Sequence, residues 1–141
     1  MIVLDTNVVS ELMRPTPSAE VVRWVVAQPS TLLCTTAITK AEMLLGAQIL
    51  ADGKQKKELQ KHLNGLFDED FRDHVLPFDA ACANYFAEIA ANRRALGRPI
   101  SQPDAQIAAI VRSKRAQLAT RNTADFADCG LRLIDPWNSE P

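Results

Sequence analysis

An α/β fold built on a mostly parallel sheet is predicted by three features of the chain. Short apolar runs alternate with longer helical segments from end to end. The first run, Ile2-Val3-Leu4, has the length of a buried strand and is too short for a signal peptide or a membrane span. That run ends on Asp5, followed by Thr6 and Asn7, at the sheet edge where open α/β folds place their ligands.

Ile2-Val3-Leu4 is the first strand, and residues 7–13 suit a short helix closed by Arg14-Pro15-Thr16-Pro17. Ser18 then caps a helix to about Ala27, in which Val21, Val22, Trp24, Val25 and Val26 give an apolar surface nearly all round. Pro29 stops it, and the β-rich residues 31–35 form the second strand. A helix over residues 37–50 follows, with Ile38, Ala41, Leu45 and Ile49 as its buried stripe. Asp52-Gly53 breaks the chain before a helix over residues 54–67, apolar at Leu59, Leu63 and Leu66. Val75-Leu76-Pro77 reads as a short strand. Asp79 caps a helix over residues 80–96, ended by Gly97 and Pro99. Ser101 opens a helix over residues 103–113, and residues 117–120 and 131–134 supply the last strands. The total is about four to five strands flanked by helices.

At 141 residues the chain fits a single domain, residues 1–141, with a core large enough to need no disulfide or structural metal. Cys34, Cys82 and Cys129 are scattered, odd in number and form no CxxC. That points away from a disulfide framework or zinc site and towards a reducing, cytoplasmic setting. A net charge of −1 argues against a uniformly basic nucleic-acid binder, leaving local patches open.

Four acids stand at element junctions: Asp5, Glu42, Asp104 and Asp125. Each has an ordinary explanation. Asp5 can cap the helix that follows it. Thr39-Lys40-Ala41-Glu42 and Ser101-Gln102-Pro103-Asp104 both have the spacing of a capping box. Asp125 can be a surface turn residue. Together they suggest more, because three of the four lie at or just past the carboxyl ends of predicted parallel strands. Ionised carboxylates about 4 Å apart repel by roughly 4 kcal/mol per pair at an effective dielectric of about 20. A cation would offset that repulsion, and oxygen-only ligands select a hard one, Mg²⁺ or Mn²⁺.

In order and spacing, Leu4-Asp5-Thr6-Asn7, Ala41-Glu42, the stretch from Pro103-Asp104 to Ala108, and the stretch from Leu118 to Asp125-Phe126 resemble the PIN domain. The terminal Ile134-Asp135-Pro136-Trp137 resembles it too. The nearest likeness is to VapC-type toxins, in particular the FitB-like branch, and it spans essentially the whole chain. The resemblance implies a PIN-like fold and a Mg²⁺- or Mn²⁺-dependent ribonuclease, the toxin of a type II toxin–antitoxin pair in the bacterial cytoplasm. It carries Asp5, Glu42 and Asp104 over as acid positions, with Asp5 and Asp104 holding the metal most directly. The fourth position falls between Asn122, where related toxins carry Asp, and Asp125. Thr6 and Thr120 become supporting hydroxyls. The partners implied are RNA, a cognate antitoxin, and a second copy in a homodimer or a higher hetero-oligomer with the antitoxin.

Other readings compete. A metal-free ribonuclease would need His62 and His74, both of which read as surface residues far from the acids. A phosphoryl-transfer enzyme would use Asp5 as nucleophile. A catalytically inactive PIN-like binding module is the alternative of a different class, and Asn122 gives it substance. Lys54, Lys56, Lys57 and Lys61, Arg93, Arg94 and Arg98, and Arg112, Lys114, Arg115 and Arg121 read as solvated faces or as a phosphate-tracking rim. Trp24 and Val25 read either as core or as part of a groove for an antitoxin helix.

Overall fold

Ile2–Leu4 form β1, and its three residues bury both faces of the strand at the centre of a five-stranded sheet. A computed structural model of the chain describes residues 1–139. The further strands are β2 (Leu33–Thr36), β3 (Val75–Leu76), β4 (Gln117–Ala119) and β5 (Arg132–Ile134). The helices are α1 (Thr6–Leu12), α2 (Ala19–Ala27), α3 (Ala37–Gln48), α4 (Lys54–Gly65), α5 (Ala80–Ala95) and α6 (Gln102–Ser113). A single π-helical turn, Leu66–Asp70, prolongs α4. The predicted alternation and the helical cover are therefore present, with element ends displaced by a few residues.

All four strand pairings are parallel, in the order β3-β2-β1-β4-β5. The chain runs outward from β1 to β3, then returns through α5 and α6 to lay β4 against the other side of β1. Strand order thus reverses beside β1, and a crevice opens at the carboxyl ends of β1 and β4. Val3 pairs with Leu118 in register, and Leu4 with Ala119. The alternation of side chains divides the core. Val3 and Leu118 pack with Ile89, Ile107 and Ile110 of α5 and α6, whereas Ile2, Leu4 and Ala119 pack with Val8, Val9 and Val21 of α1 and α2.

Three expectations are corrected. The buried row of α3 is Thr39, Met43 and Ala47, not Ile38, Ala41, Leu45 and Ile49. Leu45 is 61% exposed and Ile49 76%, and only Ile38 of that set packs on the core. Thr39 turns inward because its hydroxyl finds hydroxyl partners, and this rotates the helix away from its apolar row. The cap of α3 is Thr36, whose Oγ1 accepts from the Thr39 backbone N–H at 3.1 Å, so Thr39 sits inside the helix and opens no capping box. Helix α2 is one-sided and not apolar all round: Val21 is buried, Trp24 and Val25 are half-buried, and Val26 is 78% exposed.

Two polar residues prove structural. His74 is half-buried, with Nδ1 2.8 Å from the Leu33 carbonyl oxygen, and is not a free surface histidine. Arg93 is buried and belongs to no rim. Its guanidinium donates to the carbonyl oxygens of Arg98 (2.7 Å), Asp125 (2.7 Å) and Ala127 (3.1 Å), tying the end of α5 to the loop after β4. Replacing Arg93 by Ala leaves these carbonyls without their donor. It should lower unfolding free energy by about 2–4 kcal/mol in urea titration, while Arg94→Ala, at an exposed neighbour, stays within about 0.5 kcal/mol of wild type.

Candidate metal centre

Asp5 is the first residue past β1, and Thr120 is the first past β4. Parallel register places them side by side across the crevice, where Thr120 Oγ1 donates to Asp5 Oδ2 at 2.8 Å. Asp5 Oδ1 accepts from the Thr6 backbone N–H at 2.8 Å, which caps α1, so the ordinary explanation for this acid is also correct. The Asn7 side-chain amide lies 3.3 Å from both Asp5 Oδ2 and Thr120 Oγ1. Thr120 Oγ1 additionally accepts from the Asn122 backbone N–H at 3.1 Å.

Glu42 reaches the same place from α3. Its side chain is exposed on the solvent side of that helix. Thr6 Oγ1 donates to Glu42 Oε1 at 2.9 Å. A threonine has one hydroxyl proton, so the 3.0 Å contact between Thr6 and Thr39 hydroxyls must have Thr39 donating. Thr36 in turn donates to Thr39 at 3.4 Å. The result is a directed chain of hydroxyls, Thr36 to Thr39 to Thr6, ending on the Glu42 carboxylate. Asp104 stands in the first turn of α6, whose cap Ser101 accepts from the Asp104 backbone N–H at 3.3 Å. The amino end of that helix favours negative charge there.

Asp5, Glu42 and Asp104 line one cleft of about 490 Å³, with Thr6, Asn7, Ser10, Glu11, Arg14, Arg121, Asn122 and Trp137. Asn122, not Asp125, is the neighbour that faces it. Asp125 sits on the turn Thr123–Phe126, off the cleft lining but near enough to raise the Asp104 carboxyl. Burial is the larger cause of that rise. At Asp5, burial pushes the carboxyl up to about 6, against the lowering effect of the Thr120 and Thr6 hydrogen bonds, with Asp104 and Glu42 adding further repulsion.

Among the described residues, Asp5, Glu42 and Asp104 are in no ion pair, whereas Glu11, the fourth acid of the cleft, pairs with Arg14. Nor are three acids drawn together tightly enough to form a ready-made cation cage. An oxygen-only donor set of mutually repelling, partly desolvated carboxylates nonetheless fits a hard divalent cation in its chemistry.

Sequence reasoning missed Asn7, Thr39 and Glu11. Asn7 and Glu11 are four apart on α1, just past Asp5, so helical spacing from that acid was the available signal. Glu11 is 7% exposed and is held by Arg14 at 3.3 Å. Trp24 lines a neighbouring cavity with Glu20, Arg23, Ala27, Gln28 and Trp137, so Trp137 is a wall common to both spaces. Val25 packs beneath, against the cluster of Ile2, Leu4 and Val21.

Residues 2–130 match the PIN domain family, and the chain belongs to it. Full-length relatives are similar to it. The VapC ribonuclease Y4jK of Sinorhizobium fredii is 37% identical over 137 residues, 97% of this chain and 98% of that protein. Toxin FitB of Neisseria gonorrhoeae is 36% identical over 138 residues, 98% of this chain and 99% of that protein. The crystal structure of FitAcB from Neisseria gonorrhoeae superimposes with a TM-score of 0.91 at 35% identity, covering 99% of this chain and 100% of that one.

Raising a buried carboxyl from 3.8 to about 6 has a signed consequence for stability. The folded state holds the proton more tightly than the unfolded state, so the contribution is fully present below 3.8 and is lost as pH rises through about 6. The displacement corresponds to about 3 kcal/mol. Unfolding free energy of the metal-free protein should therefore fall across that window in EDTA. Asp5→Asn should flatten the fall and equal or exceed wild type at pH 7.5, as read by denaturant titration.

Proposed function

We propose that this protein is a Mg²⁺- or Mn²⁺-dependent endoribonuclease and the toxin of a bacterial toxin–antitoxin pair, acting in the cytoplasm. One observation carries the reading: Asp5, Glu42 and Asp104 converge from three separate elements on one cleft, with no ion-pair partner for any of them among the described residues. Relatives matching nearly the full length of the chain bear the names VapC ribonuclease and Toxin FitB.

Asp5 and Asp104 would hold the ion, with Glu42 completing or orienting the set. Bound there, a divalent cation supplies a lowered pKa for water and neutralises charge developing on phosphate. The chain's own residues do the rest. Thr120, the Thr6 backbone N–H and Asn7 fix the Asp5 carboxylate, leaving it little freedom to swing when charge approaches. The hydroxyl chain through Thr39 aims Thr6 at Glu42 and so restricts an otherwise exposed side chain. Phosphodiester hydrolysis by this route requires no covalent enzyme intermediate. The cleft geometry favours Asn122 as the residue at the fourth position, with Asp125 acting on Asp104 through its charge.

An antitoxin would cover the α2 side, where Trp24 and Val25 are half-buried beside a cavity that shares Trp137 with the acid cleft. A second copy of the chain would suit the exposed Leu45 and Ile49 of α3. Among the described residues, no helix is long and apolar enough to cross a membrane.

Asp5→Asn and Asp104→Asn should each lower Mn²⁺-dependent RNA cleavage by on the order of 100-fold or more, with the fold retained, and EDTA should do the same to wild type. Asp125→Ala should stay within a few-fold. Full activity of Asp5→Asn with and without EDTA would end the proposal, and Mn²⁺ binding without any cleavage would favour the inactive binding module.

A further inference from the structure

The acid cleft has a second wall that hydrolysis does not use. Arg14, Arg121 and Trp137 line it. The guanidinium of Arg121 lies over the Trp137 ring, 5.0 Å from its centroid. Trp137 is half-buried against the cluster of Ile2, Leu4 and Val8, while Arg121 is exposed and keeps an outer face open.

The wall is registered to the acids. The Arg121 backbone N–H donates to Asn7 Oδ1 at 3.3 Å, and the amide of the same Asn7 touches Asp5 and Thr120. The Trp137 backbone N–H donates to Asp135 Oδ1 at 2.9 Å, which fixes the turn that presents the indole. Arg14 is held by the buried Glu11. The floor is thus acidic and the adjoining wall carries two guanidinium groups beside a flat aromatic surface.

We infer that this wall is the subsite for the nucleotide next to the cut bond of a single-stranded RNA, an inference that rests on the ribonuclease reading. The base stacks on the Arg121–Trp137 platform, and Arg14 and Arg121 take the neighbouring phosphate oxygens. Every base has a π face, so stacking of this kind tolerates any sequence, and guanidinium planes serve as well as rings. Guanidinium groups also bind phosphate through paired hydrogen bonds. Arginine on this wall would offset the repulsion that the cleft carboxylates exert on an approaching phosphodiester. A single strand is selected over a duplex because stacked, paired bases offer no free face.

The test uses a short fluorescein-labelled single-stranded RNA in EDTA, where it stays intact, with binding read by anisotropy. Trp137→Ala should weaken binding roughly tenfold, and Trp137→Phe should restore most of it. Arg121→Gln, at an exposed position, should weaken binding and lower the slope of log affinity against log salt by about one. In Mn²⁺ the same variants should raise KM more than they lower kcat. Wild-type RNA affinity in both Trp137→Ala and Arg121→Gln, with wild type cleaving RNA, would overturn the subsite and leave the ribonuclease reading standing. Loss of antitoxin affinity with RNA affinity unchanged would overturn it in favour of a protein-binding wall. If wild type neither binds nor cleaves RNA, both readings fall together.

Discussion

A carboxylate buried where the strand order reverses is the constraint on which the site depends. Asp5 is 4% exposed. Three donors converge on it: the Thr6 backbone N–H, the Thr120 hydroxyl and the Asn7 amide. Such donors stabilise the ionised form, yet the carboxyl still rises to about 6. Desolvation therefore outweighs the hydrogen bonds. The fold holds Asp5 in one orientation without supplying the positive charge that would make its ionised form comfortable. A divalent cation at that point would gain a rigid ligand and relieve an unfavourable burial in one step.

The other acids are held differently, and the contrast has a mechanical meaning. Asp5 is set by β1, β4 and α1 together, so its place is fixed by sheet register. Glu42 hangs from α3 into solvent and is steered by one hydroxyl, itself set by Thr39 and Thr36. Asp104 belongs to the first turn of α6, where the helix amino end favours its charge and burial opposes it. One anchored carboxylate and two less constrained ones would give a bound cation donors that can draw together as charge arrives.

Much of this was legible from residues alone. The continuous apolar run Ile2-Val3-Leu4 and the alternation that follows it announce a parallel sheet, and the position of Asp5 announces its carboxyl edge. Asp5, Glu42 and Asp104 do share a cleft, as their junction positions suggested. The failures have a common cause. Hydropathy points the apolar row of α3 inward, but a threonine with hydroxyl partners outcompetes it, and hydropathy does not register that gain. Arg93 looked like part of a basic surface and is instead a buried clamp on three carbonyl groups. Trp137 lies far along the chain from α1, and only the closing of the carboxy-terminal segment over the sheet brings it to the cleft. Long-range polar partnerships of this kind leave no local pattern.

Divalent-cation binding through the buried carboxylate of Asp5 can be measured directly by proton linkage. A carboxyl near 6 must give up its proton when an ion binds. Calorimetric titration of the wild-type protein with Mn²⁺, in buffers of different ionisation enthalpy, reads the protons released per ion. Release of about half a proton is expected at pH 6, fading towards zero by pH 8, with both the release and most of the affinity lost in Asp5→Asn. Absence of Mn²⁺ binding, or binding by Asp5→Asn with wild-type affinity, would contradict it.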